Sequence, residues 1–133
     1  MLKRFFLGLL IGVGVVCAQE RVEPAMVTHM QQSHAIHTQL HAMEHVISIP
    51  YMTPLERDAK RLEIAHSMQQ SVQEIIRDLE THPQARFMVH QEALKKANAL
   101  LEKAIGLRDV VSTVQSADAV IHTCNACHAQ FRK

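Results

Sequence analysis

The run Cys124-Asn125-Ala126-Cys127-His128 lies near the C-terminal end of a chain of 133 residues and places two thiols and an imidazole within five positions. Two thiols at this spacing can add to the two vinyl groups of one haem. The imidazole that follows can then rise to the iron as an axial ligand. On a helix, positions 124, 127 and 128 fall on one face, so all three groups reach the same side. The run occurs once. It therefore predicts one covalent haem c per chain, with Cys124 and Cys127 as anchors and His128 as proximal iron ligand. Two other chemistries use the same side chains. A C-x-x-C pair can cycle as a redox disulfide, but that motif expects a strand-to-helix setting, which this stretch lacks. Cys124, Cys127, His128 and His122 could also hold zinc, although structural zinc sites often use a second ligand pair farther along the chain, and no second Cys pair exists.

The composition frames this motif. Fourteen Lys+Arg balance 13 Asp+Glu, so no strongly basic surface for nucleic acid is expected. Four Gly and four Pro are too few for a loop-rich or fibrous chain, and the length suits one domain. Aromatic residues make up 4%, so aliphatic side chains, or something added, must fill the core. At the N-terminus, Lys3 and Arg4 precede fourteen uncharged residues, Phe5 to Ala18. That is short for a bilayer span and fits the apolar core of a secretory signal cleaved after Ala18. A lipoprotein reading would put lipid on Cys17, but Val16 is a poor fit before such a cysteine. Cleavage leaves a domain of residues 19–133 whose only cysteines are Cys124 and Cys127. Export also suits the motif, because haem is attached outside the cytoplasm. The expected location is the periplasm.

Helical periodicity governs the rest, with no persistent strand alternation. A first helix is expected from Pro24 to Ile47, with Ile36, Leu40, Met43 and Ile47 on its apolar stripe and Met26, Met30 or Ser33 extending it. Ile49-Pro50-Tyr51-Met52 breaks it. Thr53-Pro54-Leu55-Glu56 reads as a capping box with Pro at the first helical position. The second helix that follows turns Leu62, Ala65, Val72, Ile75, Ile76 and Leu79 to one side and ends at Thr81-His82-Pro83. A third, Pro83 to Ile105, carries Phe87, Leu94, Ala97, Leu101 and Ala104 or Ile105, with Gly106 as its C-cap. A fourth begins near Asp109 with Val110, Val114, Ala117, Ile121 and Cys124 on one face and can run to Phe131. Four amphipathic helices joined by short connections predict an all-α, antiparallel four-helix bundle.

A C-terminal helix ending Cys-x-x-Cys-His-x-x-Phe-Arg, here Cys124 to Arg132, on a four-helix chain of this size resembles the cytochrome c′ family. Most other small c-type cytochromes carry the motif near their N-terminus. The resemblance spans residues 24–133 in architecture and Cys124 to Arg132 in motif. It implies a left-handed bundle, often dimeric, with the haem among the helices near the C-terminal end and Arg132 beside its proximal face. Family members divide by the distal residue on the first helix. Low-spin members place a Met there and carry electrons; high-spin members place an apolar residue there and bind nitric oxide or carbon monoxide. Aligning the Leu40 and Met43 stripe puts Met30 near the distal position, and small shifts substitute His29, Ser33, His34 or His37. The Arg-Gln pair usual in high-spin members is not matched; the nearest run is Met30-Gln31-Gln32.

Ten histidines are the compositional anomaly. His34, His37, His41 and His45 recur at three, four and four and share a face of the first helix. That face suits a second copper or zinc site, a surface that charges as pH falls towards about 6, or a merely solvated polar stripe. His66, His82, His90 and His122 are scattered and expected to be exposed, without a role. The leading expectation is an exported monohaem cytochrome that passes single electrons between periplasmic redox proteins. A haem protein with an open distal site for nitric oxide or carbon monoxide is the first alternative. A His- and Met-rich periplasmic metal-binding protein without haem is the second. No nucleophile-base arrangement suggests an enzyme.

Overall fold

The computed structural model describes residues 24–81 and 85–131, with side chains described for residues 31–81 and 88–130. The proposed export signal at 1–18, Arg132, and the side chains of His29 and Met30 lie outside the described residues. Four helices and no strand appear among the described residues: α1 (Pro24–Val46), α2 (Pro54–Glu80), α3 (Ala85–Gly106) and α4 (Val110–Phe131).

Local chemistry sets the boundaries. At the start of α2 the Thr53 side chain accepts the Glu56 backbone N–H at 3.2 Å, and the Glu56 carboxylate accepts the Thr53 N–H at 2.7 Å. Pro54 occupies the first turn, where its missing N–H leaves no partner unsatisfied. At the start of α4 the Asp109 carboxylate accepts the Ser112 N–H at 3.1 Å and the Ser112 hydroxyl at 2.6 Å. The loop from α1 to α2 is tied down by Arg57, whose guanidinium donates to the Ile49 carbonyl at 2.8 Å.

Consecutive helices pack as antiparallel hairpins. Gln39 of α1 donates to Ser67 of α2 at 3.1 Å. Asn98 of α3 donates to Gln73 of α2 at 3.3 Å, while Lys95 reaches Glu80 at 3.1 Å. From Glu80–Lys95 to Gln73–Asn98 the contact moves back along α2 as it moves forward along α3, and from Ile49–Arg57 to Gln39–Ser67 the same holds across the α1–α2 hairpin. The core is aliphatic and sulfur-bearing: Ile36, Leu40 and Met43 of α1, Met68, Val72, Ile75 and Ile76 of α2, Leu94 and Leu101 of α3, Val120, Ile121 and Cys124 of α4. No aromatic side chain is among them. α1 lies along α2, and α4 lies along α3; α1 and α4 meet over a shorter stretch, which leaves a seam between them.

Three expectations are corrected. Ile47 is 52% exposed, and Val46 takes the inward place. The chain tightens beyond α1 into three-residue turns, with Ile47 N–H on Glu44 O and Ser48 N–H on His45 O. In that geometry the residue three after Met43 stacks inward. Gly106 is not the left-handed cap. It is the last helical residue, and Arg108 adopts φ 53°. Arg108 N–H donates to Ile105 O and Asp109 N–H to Ala104 O, the pattern of a Schellman turn. Asp109 is committed as the N-cap of α4, so the residue just before it must make the reversal. On α4, Val110 and Val114 are half-buried, and the inward seam is Thr113, Ala117, Val120 and Cys124. Thr113 tolerates burial because its hydroxyl donates to the Asp109 carbonyl of its own helix at 2.7 Å.

Candidate cofactor site

The last turns of α4 bring Cys124, Cys127 and His128 to one side, as a helix requires of positions three and four apart. Cys124 is buried; Cys127 and His128 are half-buried. All three line a small cavity of about 40 Å³ that takes walls from every helix: Ser33 from α1, Ile75 and Leu79 from α2, His90 and Leu94 from α3, and Thr123 beside the motif. The walls are mostly apolar, and the free volume is about that of one water molecule, so a larger occupant would have to part the helices around it.

Both thiols are free. Burial raises the pKa of Cys124, partly offset by a hydrogen bond from the Ser33 hydroxyl. Burial, reinforced by the neighbouring Cys124, pushes Cys127 up to about 11. At neutral pH both sulfurs are held as thiols. A reactive redox pair needs the opposite, a thiol whose pKa is lowered by nearby positive charge or a helix N-terminus. These cysteines lie near a helix C-terminus.

A second, larger void opens along the seam between α1 and α4. It measures about 590 Å³ and is lined by His34, His37, Thr38 and His41 from α1 and by Asn125, His128 and Ala129 from α4. His128 borders both voids, so its imidazole stands at the wall between the interior and the seam. His37 is half-buried and its Nε2 lies 3.1 Å from Asn125 Oδ1. His34 and His41 are exposed at the rim. His45 lies beyond it, with its ring 3.2 Å from the Ser48 hydroxyl. The stripe read from the sequence therefore divides: three members face the seam and the fourth does not.

Among the described side chains of α1, Ser33 reaches the cysteine cavity, while His34 and His37 face the seam. His122 is exposed and pairs with Asp118 at 3.3 Å, away from the two thiols. Among the described residues, no three His, Cys, Asp or Glu side chains converge as a metal-binding group.

His90 corrects an expectation. It is half-buried rather than exposed, lines the cysteine cavity, and reaches Gln130 of α4. Its spacing carried the signal: 90, 94, 97 and 101 recur at four, three and four, which places His90 on the inward stripe of α3 with Leu94, Ala97 and Leu101.

Comparison with known family models, curated proteins and solved structures found no match to this chain. No described helix is long and apolar enough to cross a membrane.

Proposed function

We propose that this chain is an exported monohaem c-type cytochrome on a four-helix bundle, similar in plan to cytochrome c′, and that it carries single electrons between periplasmic redox proteins. The observation that carries the reading is the convergence of Cys124, Cys127 and His128 on one apolar cavity walled by all four helices. The donor set suits the group. Two thiols on one helical face can be spent as thioethers to the two vinyl groups of one haem. An imidazole beside them supplies the proximal nitrogen. The aliphatic core, with no aromatic residue among its described members, is the kind a porphyrin would complete.

The haem, when bound, supplies the one-electron chemistry. The protein's own residues do the rest. Cys124 and Cys127 fix the position of the group. His128 borders the cavity and would offer the proximal nitrogen. Ile75, Leu79 and Leu94 exclude water, one of the levers that set a reduction potential. Met30 or His29 of α1 is proposed for the distal side, because positions 29 and 30 lie one turn before Ser33, which lines the cavity.

The test is mass spectrometry of the full chain coexpressed with haem-attachment machinery. A haem adduct on the Cys124–His128 peptide is expected, lost when either cysteine becomes Ala. An unmodified peptide from an exported, folded protein would overturn the reading. Reduced-state absorption with and without carbon monoxide then separates electron carrier from gas binder. An unchanged spectrum is expected of a carrier with both axial positions filled.

A further inference from the structure

Two imidazoles from different helices reach α4 on either side of His128. From α1, His37 Nε2 lies 3.1 Å from Asn125 Oδ1. From α3, His90 Nε2 lies 2.5 Å from Gln130 Oε1. The acceptors are amide oxygens, so each ring donates its Nε2–H. We propose that His37 and His90 form a clamp that fixes the rotation of α4 and so aims His128, and that neither ring ligates iron.

Three observations carry this. The first is angular. At about 100° per residue, Cys124, Cys127 and His128 define one face of α4. Asn125 and Gln130 then fall about 110° to either side of the centre of that face. A bond on each flank opposes rotation in both senses, and a rotation is the motion that would misaim His128.

The second is the place of His128 in its helix. α4 ends at Phe131, three residues on. The last four carbonyls of a helix lack partners within it, and such ends fray unless tied down. A ligand carried there needs support from outside its own helix to be pre-organised. The two amides stand three residues before His128 and two after it, so the supports bracket the ligand along the chain as well as around the axis.

The third is chemical. A ring that donates through Nε2 cannot offer that nitrogen to a metal without giving up the bond. Both rings are half-buried where they cross to α4, and each crosses a different interface: His37 spans the open seam and His90 the packed α3–α4 contact. The positioning role thus takes His37 away from the pool of distal candidates. It also gives two of the ten histidines a structural reason for their places.

The purpose of the clamp rests on the haem reading; its existence does not. The test uses the full haem-loaded chain with His37→Ala, His90→Ala and the double change, beside His37→Gln and His90→Gln. The Gln side chain keeps an N–H donor near the Nε2 position but is no imidazole. Amide hydrogen exchange across residues 125–131 is the first readout. Loss of one neutral hydrogen bond is expected to speed exchange there about fivefold and loss of both about 25-fold, with protection restored by Gln. The visible spectrum and midpoint potential are the second readout. Both are expected to shift in the double Ala variant and to return in the Gln variants. Unchanged exchange and potential in the double Ala variant would overturn the proposal. So would loss of a low-spin spectrum in a Gln variant that keeps its exchange protection, because that ring would then be an iron ligand. Failure of haem attachment would defeat the function proposed above, while the exchange measurement would still decide whether the clamp exists.

Discussion

The α3–α4 turn carries its glycine and its left-handed residue two positions apart, and exchanging the two preferences is expected to stabilise the fold. Gly106 sits in the last helical position, and a Cβ placed there would meet nothing within 4 Å. Gly106→Ala removes a residue whose unfolded chain is unusually free, worth about 0.5–1 kcal/mol in a helix and towards the lower figure at its end. Arg108 holds φ 53°, where a Cβ crowds the following carbonyl at a cost of about 1–2 kcal/mol. Arg108→Gly relieves that crowding but gives back part of it as added freedom of the unfolded chain, for a net gain of about 0.5–1 kcal/mol. The side chain of Arg108 is exposed, so its removal uncovers no core. The two changes act on different backbone torsions and are expected to sum to about 1–1.5 kcal/mol, a rise in Tm of roughly 4–8 °C for a domain of this size. Urea unfolding followed by circular dichroism measures it. Arg108→Ala is the control: it removes the same charge and keeps the Cβ, so no gain is expected. If Arg108→Ala stabilises as much as Arg108→Gly, the side chain rather than the torsion was responsible and the reasoning fails.

Other expectations follow from the caps and the core. Thr53→Ala removes the side-chain acceptor of the Glu56 N–H and is expected to cost about 1 kcal/mol in the same urea assay. Leu101→Ala empties a fully buried position between helices and is expected to cost about 2–5 kcal/mol, with an unchanged helical spectrum below the transition. Two exposed carboxylates sit below the ordinary range: Glu56 through the Thr53 backbone N–H and then its hydroxyl, and Asp109 through the Ser112 hydroxyl and then its N–H. Their contribution is therefore fully present above the usual carboxylate pKa of about 4 and is lost as pH falls through their depressed values. Urea midpoints between pH 6 and 3 are expected to fall, and to fall less in Asp109→Asn, which keeps a capping oxygen that does not titrate. A steeper fall in that variant would contradict the assignment.

Much of the fold is legible in the sequence because its signals are local. Thr53-Pro54-Leu55-Glu56 states a helix start in four residues, and Asp109 states another. Apolar residues at steps of three and four mark the inward faces without reference to any partner. The errors fall where a second element decides. Gly106 was the natural left-handed residue until the cap at Asp109 fixed where the reversal had to occur. Ile47 and Val46 are both apolar, and only the tightening beyond α1 chose between them. Thr113 and Ser33 were passed over or left as options because they are polar. Each is satisfied in its buried place by a hydrogen bond, one to its own helix and one to the Cys124 thiol in the cavity.

The site divides in the same way. Its atoms are written in the chain: two thiols and an imidazole at positions 124, 127 and 128, on one face by the pitch of the helix alone. That follows from the helix period, which no packing changes. Tertiary structure decided what faces them. It brought Ser33, Ile75, Leu79, His90 and Leu94 to the cysteines from three other helices and sent His37 to the outer seam, where its ring is tied to Asn125. Those contacts span up to 91 positions of chain. They depend on how each helix is rotated about its own axis, which is fixed only when the four apolar faces close on one another.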